Sequence, residues 1–182
     1  MTKITFRERL QQNKPILSDG AMGTMLSDNS IVPTSCFEAL NISQPYVVQA
    51  VHRAYIEAGA ELIETNTFGA NVYKLGNCEM AAEVIDINCA GVAIAKQVAA
   101  EFPDRQIYVA GSVGPLGVRL RPYGRVRVRD ALAAFRQQVE ALLSCGIDAL
   151  ILETFSDHNE LLLAVEASRE IAIVFAPNMS VG

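Results

Sequence analysis

From residue 16 onward, short apolar runs rich in β-branched residues alternate with longer stretches in which apolar side chains recur every three or four positions. That alternation predicts repeated βα units packed around a parallel sheet. Five strands are expected, at 15–19, 61–66, 106–112, 148–154 and 172–179. The middle three are almost wholly apolar, as a parallel sheet covered on both faces requires. Between them, Val48, Val51, Tyr55 and Ala58 share one helical face after Pro45, and Gly59 stands where a C-terminal cap belongs. Val84, Ile87, Gly91, Ala95 and Val98 repeat the spacing, as do Leu132, Phe135, Val139 and Leu142 before Cys145-Gly146. Asp157 is placed to cap a fourth helix carrying Leu161, Ala164, Val165 and Ser168 on one side.

Two segments echo one another: AYIEAGAELIETNTF and ALLSCGIDALILETF both read helix, glycine, acidic residue, apolar strand, Glu-Thr, Phe. Stacked βα units of a barrel produce such an echo. The expected fold class is therefore α/β, about five parallel strands with intervening helices in one domain of 182 residues.

Composition narrows the function classes. Apolar residues make up 51% of the chain, yet no run approaches the roughly 20 residues that span a bilayer. The opening MTKITFRERLQQNK lacks the apolar core and cleavage site of a secretory signal, so a cytoplasmic protein is expected. A net charge of −5 gives no general attraction to nucleic acid or anionic lipid. Arg119, Arg121, Arg125, Arg127 and Arg129 form one basic cluster, read as a solvated loop leading into a helix rather than a phosphate site. Cys36, Cys78, Cys89 and Cys145 include no C-x-x-C pair, and reduced, buried thiols are expected. Cys78 and Cys89 would lie about 16 Å apart on one helix, too far to share a zinc ion.

The chemistry-bearing residues stand at the C-terminal ends of the expected strands, where parallel α/β folds build their sites. Strand one delivers Asp19, Gly20 and the run to Thr24; strand two Glu64, Thr65, Asn66, Thr67 and Phe68. Strand three delivers Gly111, Ser112, Gly114 and Pro115, and strand four Glu153, Thr154 and Phe155. Neither glycine cluster has the G-x-G-x-x-G spacing of a dinucleotide site.

Taken together, DGAMGTML, CFEALNISQP, AYIEAGAELIETNTFGAN, GSVGPLG with a following RPYG, and DALILETFSD resemble the homocysteine S-methyltransferase family in order and spacing. The likeness covers residues 16 to about 170 and is nearest to folate-linked and cobalamin-linked bacterial members, including forms fused to a methylenetetrahydrofolate reductase. It implies a partial (β/α)8 TIM barrel whose C-terminal strands are missing, because a complete barrel takes about 250 residues. The truncated homocysteine-binding domain over 1–182 would be part of a full version that holds the homocysteine thiol on Zn²⁺ as a thiolate and transfers a methyl group to it, giving methionine. By position, Glu153 is implied as the acceptor for the substrate ammonium, with Asp19 and Gly20 in the same pocket. Asn66, Thr67 and Ser112 are implied either to contact substrate or to order its loops.

The sequence departs from that family at its end. The Asn-Cys and Gly-Gly-Cys-Cys segments that hold the family's zinc do not occur, so no metal ligand or catalytic residue is assigned and activity of the chain alone is not expected. The nearest likeness suggests folate or cobalamin as methyl donor, but users of betaine and S-methylmethionine share this half of the barrel and the sequence does not separate them. Pro177 interrupts the fifth expected strand, and 176–182 looks more like a segment of dihydrodipicolinate reductases. An unclosed sheet should pair with a missing half-barrel or with a second copy. Two other readings stand beside the methyltransferase module: a non-catalytic binder of thio-amino acids, and an unrelated βα enzyme using Asp19, Glu64 and Glu153 as acid, base or Mg²⁺ ligands.

Overall fold

The computed structural model describes residues 4–29, 36–169 and 173–175. Thr5 and Glu8 bond each other's backbone N–H groups in a capping box that starts helix α1 (Phe6–Leu10). The chain then runs through α2 (Met22–Asn29) and the single turn α3 (Leu40–Ser43) into α4 (Pro45–Ala58). Proline opens α4 at no hydrogen-bonding cost, and Gly59 ends it at φ 118°, a left-handed conformation that glycine adopts without a side-chain clash. Strand β1 (Leu62–Glu64) follows, then α5 (Val72–Gly76) and α6 (Val84–Ala100). The remaining units are β2 (Tyr108–Val113), α7 (Val128–Ser144), β3 (Ala149–Leu152), α8 (His158–Ala167) and β4 (Ile173–Phe175). Asp157 caps α8 as expected, its carboxylate accepting from the Asn159 N–H at 2.8 Å.

The described strands form one four-stranded parallel sheet in the order β1-β2-β3-β4, so each strand lies beside its predecessor in sequence. Side chains alternate across it. Leu62, Tyr108, Ala110, Ala149 and Ile151 pack on one face with Phe6, while Ile63, Val109, Leu150 and Leu152 face the helices. Phe6 meets Tyr108 edge-on at 5.1 Å, and the Tyr108 hydroxyl donates to the Ile4 carbonyl, which ties α1 to the base of the sheet.

One strand expectation changes. The strand expected at 15–19 shrinks to a single parallel bridge, Ser18 to Leu62, although Asp19 N–H still donates to the Leu62 carbonyl at 3.0 Å. Pro15 precedes that bridge and supplies no ladder N–H, which shortens the pairing. Of the fifth expected strand only Ile173–Phe175 is described, and the rest, with Pro177, lies outside the described residues.

The expectation of reduced thiols is overturned at one pair. Cys89 on α6 and Cys145 at the end of α7 form a disulfide across 56 residues, their Cα atoms 5.7 Å apart. Helix α6 packs along α7, which brings the two positions together. Alkylation of the unfolded, unreduced chain should therefore leave Cys89 and Cys145 unlabelled. Peptide mapping that finds both alkylated before reduction would contradict the pairing.

Among the described residues, no helix is long and apolar enough to cross a membrane. The five arginines of 119–129 are exposed, and Arg127 and Arg129 both pair with Asp130.

Candidate functional site

A cavity of about 380 Å³ opens at the C-terminal ends of the strands. Five segments build it. The residues leading into α2 and its first turn contribute Gly20, Ala21, Met22 and Gly23, and the turn before α3 contributes Phe37 and Glu38. Glu64, Thr65, Asn66 and Phe68 follow from β1, Ser112 from β2, and Glu153 and Thr154 from the end of β3.

Of the residues singled out from sequence, Gly20, Asn66, Ser112 and Glu153 all line this one cavity. Asp19 does not line it, but its carboxylate accepts from the backbone N–H of the lining Glu64 at 2.9 Å and from the Ser18 hydroxyl at 3.3 Å. Thr67 is fully buried and lies behind the wall. Its hydroxyl donates to the Ser112 carbonyl at 2.8 Å, so the Thr65 hydroxyl must supply the proton of the 2.6 Å bond between the two threonines. The Ser112 N–H completes the lock by donating to Thr65 Oγ1 at 3.2 Å.

Two buried amides that sequence reasoning passed over hold this wall from outside. Gln138 on α7 donates to the Thr67 carbonyl at 2.7 Å. Asn41 on α3 donates to the carbonyls of Asn66 and Ile87, and accepts from the Asn66 amide at 3.0 Å. Asn66 spends its other amide hydrogen on the Phe37 carbonyl at 2.7 Å. Gly91 on α6 is where this helix comes closest: a Cβ there would stand 2.8 Å from both Asn41 Nδ2 and Thr67 Cγ2. Gly114 plays the same part for Phe68, whose ring occupies the space a Cβ would need.

Carboxyl groups dominate the electrostatics. Glu153 Oε1 accepts from the Ser112 hydroxyl at 2.5 Å, a short bond typical of a charged acceptor. Glu38 accepts from the Gly69 N–H at 2.6 Å. Burial pushes the Asp19 carboxyl up to about 7, against the pull of its hydrogen bonds from Glu64 and Ser18. Glu64 is raised further, to about 9, by burial and then by the neighbouring charges of Glu153 and Asp19. No lysine or arginine lines the cavity among the described residues; Lys74 sits over the outer Phe68 ring at 4.2 Å. Thr154 holds φ 60°, an uncommon conformation for a β-branched residue, immediately after Glu153 at the rim.

The sequence carried one usable signal for the lining residues it left unassigned. The repeated Glu-Thr at the tips of β1 and β3 places Glu64 and Glu153 equivalently, and both reach the cavity. Phe37 and Glu38 had no such marker.

Known proteins resemble the chain in both sequence and shape. Residues 16–181 match the family model described as homocysteine S-methyltransferase. Methionine synthase of Mycobacterium leprae (strain TN) is 40% identical over 162 residues, covering 85% of this chain and 13% of that protein. Methionine synthase of Mycobacterium tuberculosis (strain ATCC 25618 / H37Rv) matches equally, with 14% of its length covered. Among solved structures, the metallated form of the homocysteine methyltransferase MmuM from Escherichia coli superposes with a TM-score of 0.76 at 26% identity. That match covers 92% of this chain and 65% of MmuM; the apo form gives a TM-score of 0.67 at 25% identity. The chain thus spans about a seventh of the methionine synthases and under two thirds of MmuM.

Proposed function

Since the chain belongs to the homocysteine S-methyltransferase family, we propose that the cavity at its strand tips binds the amino-acid end of homocysteine for methyl transfer to the thiol. Residues 1–182 are read as one homocysteine-binding domain with the strand order of a (β/α)8 barrel. The observation that carries this reading is the cavity's acidic lining: the carboxyl groups of Glu38, Glu64 and Glu153 line it and no cationic side chain does, among the described residues. Such a lining favours a ligand that brings its own cation, and an amino acid brings an ammonium group. Glu153 is the acceptor in this reading, held by Ser112, while Met22, Phe37 and Phe68 offer apolar contact to the thioalkyl chain. Gly20 lines the pocket, Asp19 fixes the backbone of Glu64, and Asn66 and Thr67 order the loop between them.

Zinc is a different matter. Among the described residues no group of three or more His, Cys, Asp or Glu side chains is arranged to hold a metal ion. Cys89 and Cys145 are bonded to each other, and the residues described here do not fit a zinc thiolate site, so no step is assigned to the metal. This chain's share of the chemistry is to bind and orient the substrate's amino-acid end.

Glu153→Gln tests the reading. Losing a charge-assisted contact to a partly buried ammonium costs about 1.5–3 kcal/mol, which weakens L-homocysteine binding roughly tenfold or more by calorimetry. Deaminated homocysteine, 4-sulfanylbutanoate, should bind poorly to the unsubstituted chain and equally to both forms. Unchanged homocysteine affinity would remove Glu153 from the pocket.

A further inference from the structure

We propose that Glu64 is a positioning residue: it carries a proton, donates it in a hydrogen bond to Glu153, and so holds the Glu153 carboxylate in the orientation that receives an ammonium group. The proposal rests on the reading of the cavity given above and adds a residue to it.

Glu64 and Glu153 stand at matching positions, one at the tip of β1 and the other just past β3, with Ser112 of β2 between them. Both side chains line the same cavity, where Glu153 acts on the Glu64 carboxyl through its charge and a side-chain hydrogen bond. Two carboxyl oxygens share such a contact only when one of them bears a hydrogen, because paired anions in a partly buried site repel. The donors present decide which one it is. Glu153 already accepts from the Ser112 hydroxyl at 2.5 Å, and its second oxygen faces the Thr154 hydroxyl at 3.5 Å. The Glu64 carboxyl receives no such bond among the described residues; instead its own backbone N–H is taken by Asp19.

The charges around Glu64 act in the same direction. Asp19 faces it from the segment before α2 and Glu153 from the end of β3, both acidic. Burial reinforces these neighbours and keeps Glu64 neutral well above the ordinary carboxylate range. One proton on Glu64 thus replaces a repulsion between two like charges with a hydrogen bond that directs the Glu153 carboxyl.

Two measurements on the full chain test this. Infrared difference spectra at about pH 8, above the value of about 7 that burial gives Asp19 and below that of Glu64, should contain the carbonyl stretch of a protonated carboxylic acid that Glu64→Gln abolishes; absence of that band, or its persistence in Glu64→Gln, overturns the proposal. Calorimetry with L-homocysteine then compares Glu64→Gln, which keeps a neutral donor, with Glu64→Leu, which has none. Glu64→Gln should retain most of the affinity and Glu64→Leu should lose roughly tenfold or more, with thermal midpoints recorded for both. Equal affinities for the two variants would overturn the positioning role. Should the unsubstituted chain fail to bind L-homocysteine, the reading of the pocket fails, and the infrared result still decides where the proton sits.

Discussion

Asn41→Leu is expected to lower the stability of the chain by about 3 kcal/mol or more, among the larger effects of any single substitution. Asn41 is buried, and its amide joins three elements: it donates to the Asn66 carbonyl at 2.8 Å and the Ile87 carbonyl at 3.1 Å, and accepts from Asn66. Leucine fills similar space but satisfies none of these groups. The Asn66 carbonyl and one Asn66 amide hydrogen would then be left without partners, each costing about 1–3 kcal/mol. Because Gly91 lets α6 press directly against Asn41, there is no slack through which the wall relaxes. Urea denaturation checks this, with Ile42→Ala as the control: Ile42 is half exposed on the same short helix, and its loss should cost well under 1 kcal/mol. A similar midpoint for Asn41→Leu and the unsubstituted chain would show that this network does not stabilise the site.

His52 sets the second large effect, a loss of stability in acid. It is fully buried on α4 with neither ring nitrogen hydrogen-bonded among the described residues, and burial lowers its pKa from 6.5 to about 4. The unfolded chain therefore takes up a proton at this site before the folded one does. Stability is intact above the unfolded value and falls as pH drops from about 6.5 toward 4, by about 3 kcal/mol from this residue alone. Asp19 and Glu64 act in the opposite sense, since their raised values mean that the fold binds more protons and loses stability as pH rises from their unfolded values of 3.8 and 4.5 to about 7 and about 9. Denaturation of the unsubstituted chain and His52→Leu at a series of pH values separates the two. The variant should gain on the unsubstituted chain as pH falls, by about 3 kcal/mol at pH near 4; parallel curves would mean that His52 does not titrate as burial requires.

Helix boundaries were legible because single residues mark them. Pro45 and Gly59 bracket α4, Asp157 caps α8, and Gly146 follows α7 at φ 77°. Strand positions were legible from apolar runs at Leu62, Tyr108 and Ala149, and the strand tips pointed to the cavity. What stayed hidden depends on contacts between residues far apart in the chain. The Cys89–Cys145 bond spans 56 residues without a local motif, and arises only once α6 lies along α7. Asn41, Gln138 and His52 are polar residues on helices, where a periodic pattern reads them as solvent-facing, yet all three are buried. Asp19 sits at the strand end the sequence indicated, but its carboxylate is turned to the Glu64 backbone, a choice fixed by the Ser18–Leu62 bridge.

The central claim, an ammonium received by Glu153 at the mouth of the strands, is tested most directly by the structure of this chain with L-homocysteine bound. The account predicts the ligand nitrogen at hydrogen-bonding distance from the Glu153 carboxylate, about 3 Å, with its thioalkyl chain along Phe37 and Phe68. A ligand seated elsewhere, or turned so that its nitrogen points away from Glu153, would contradict it.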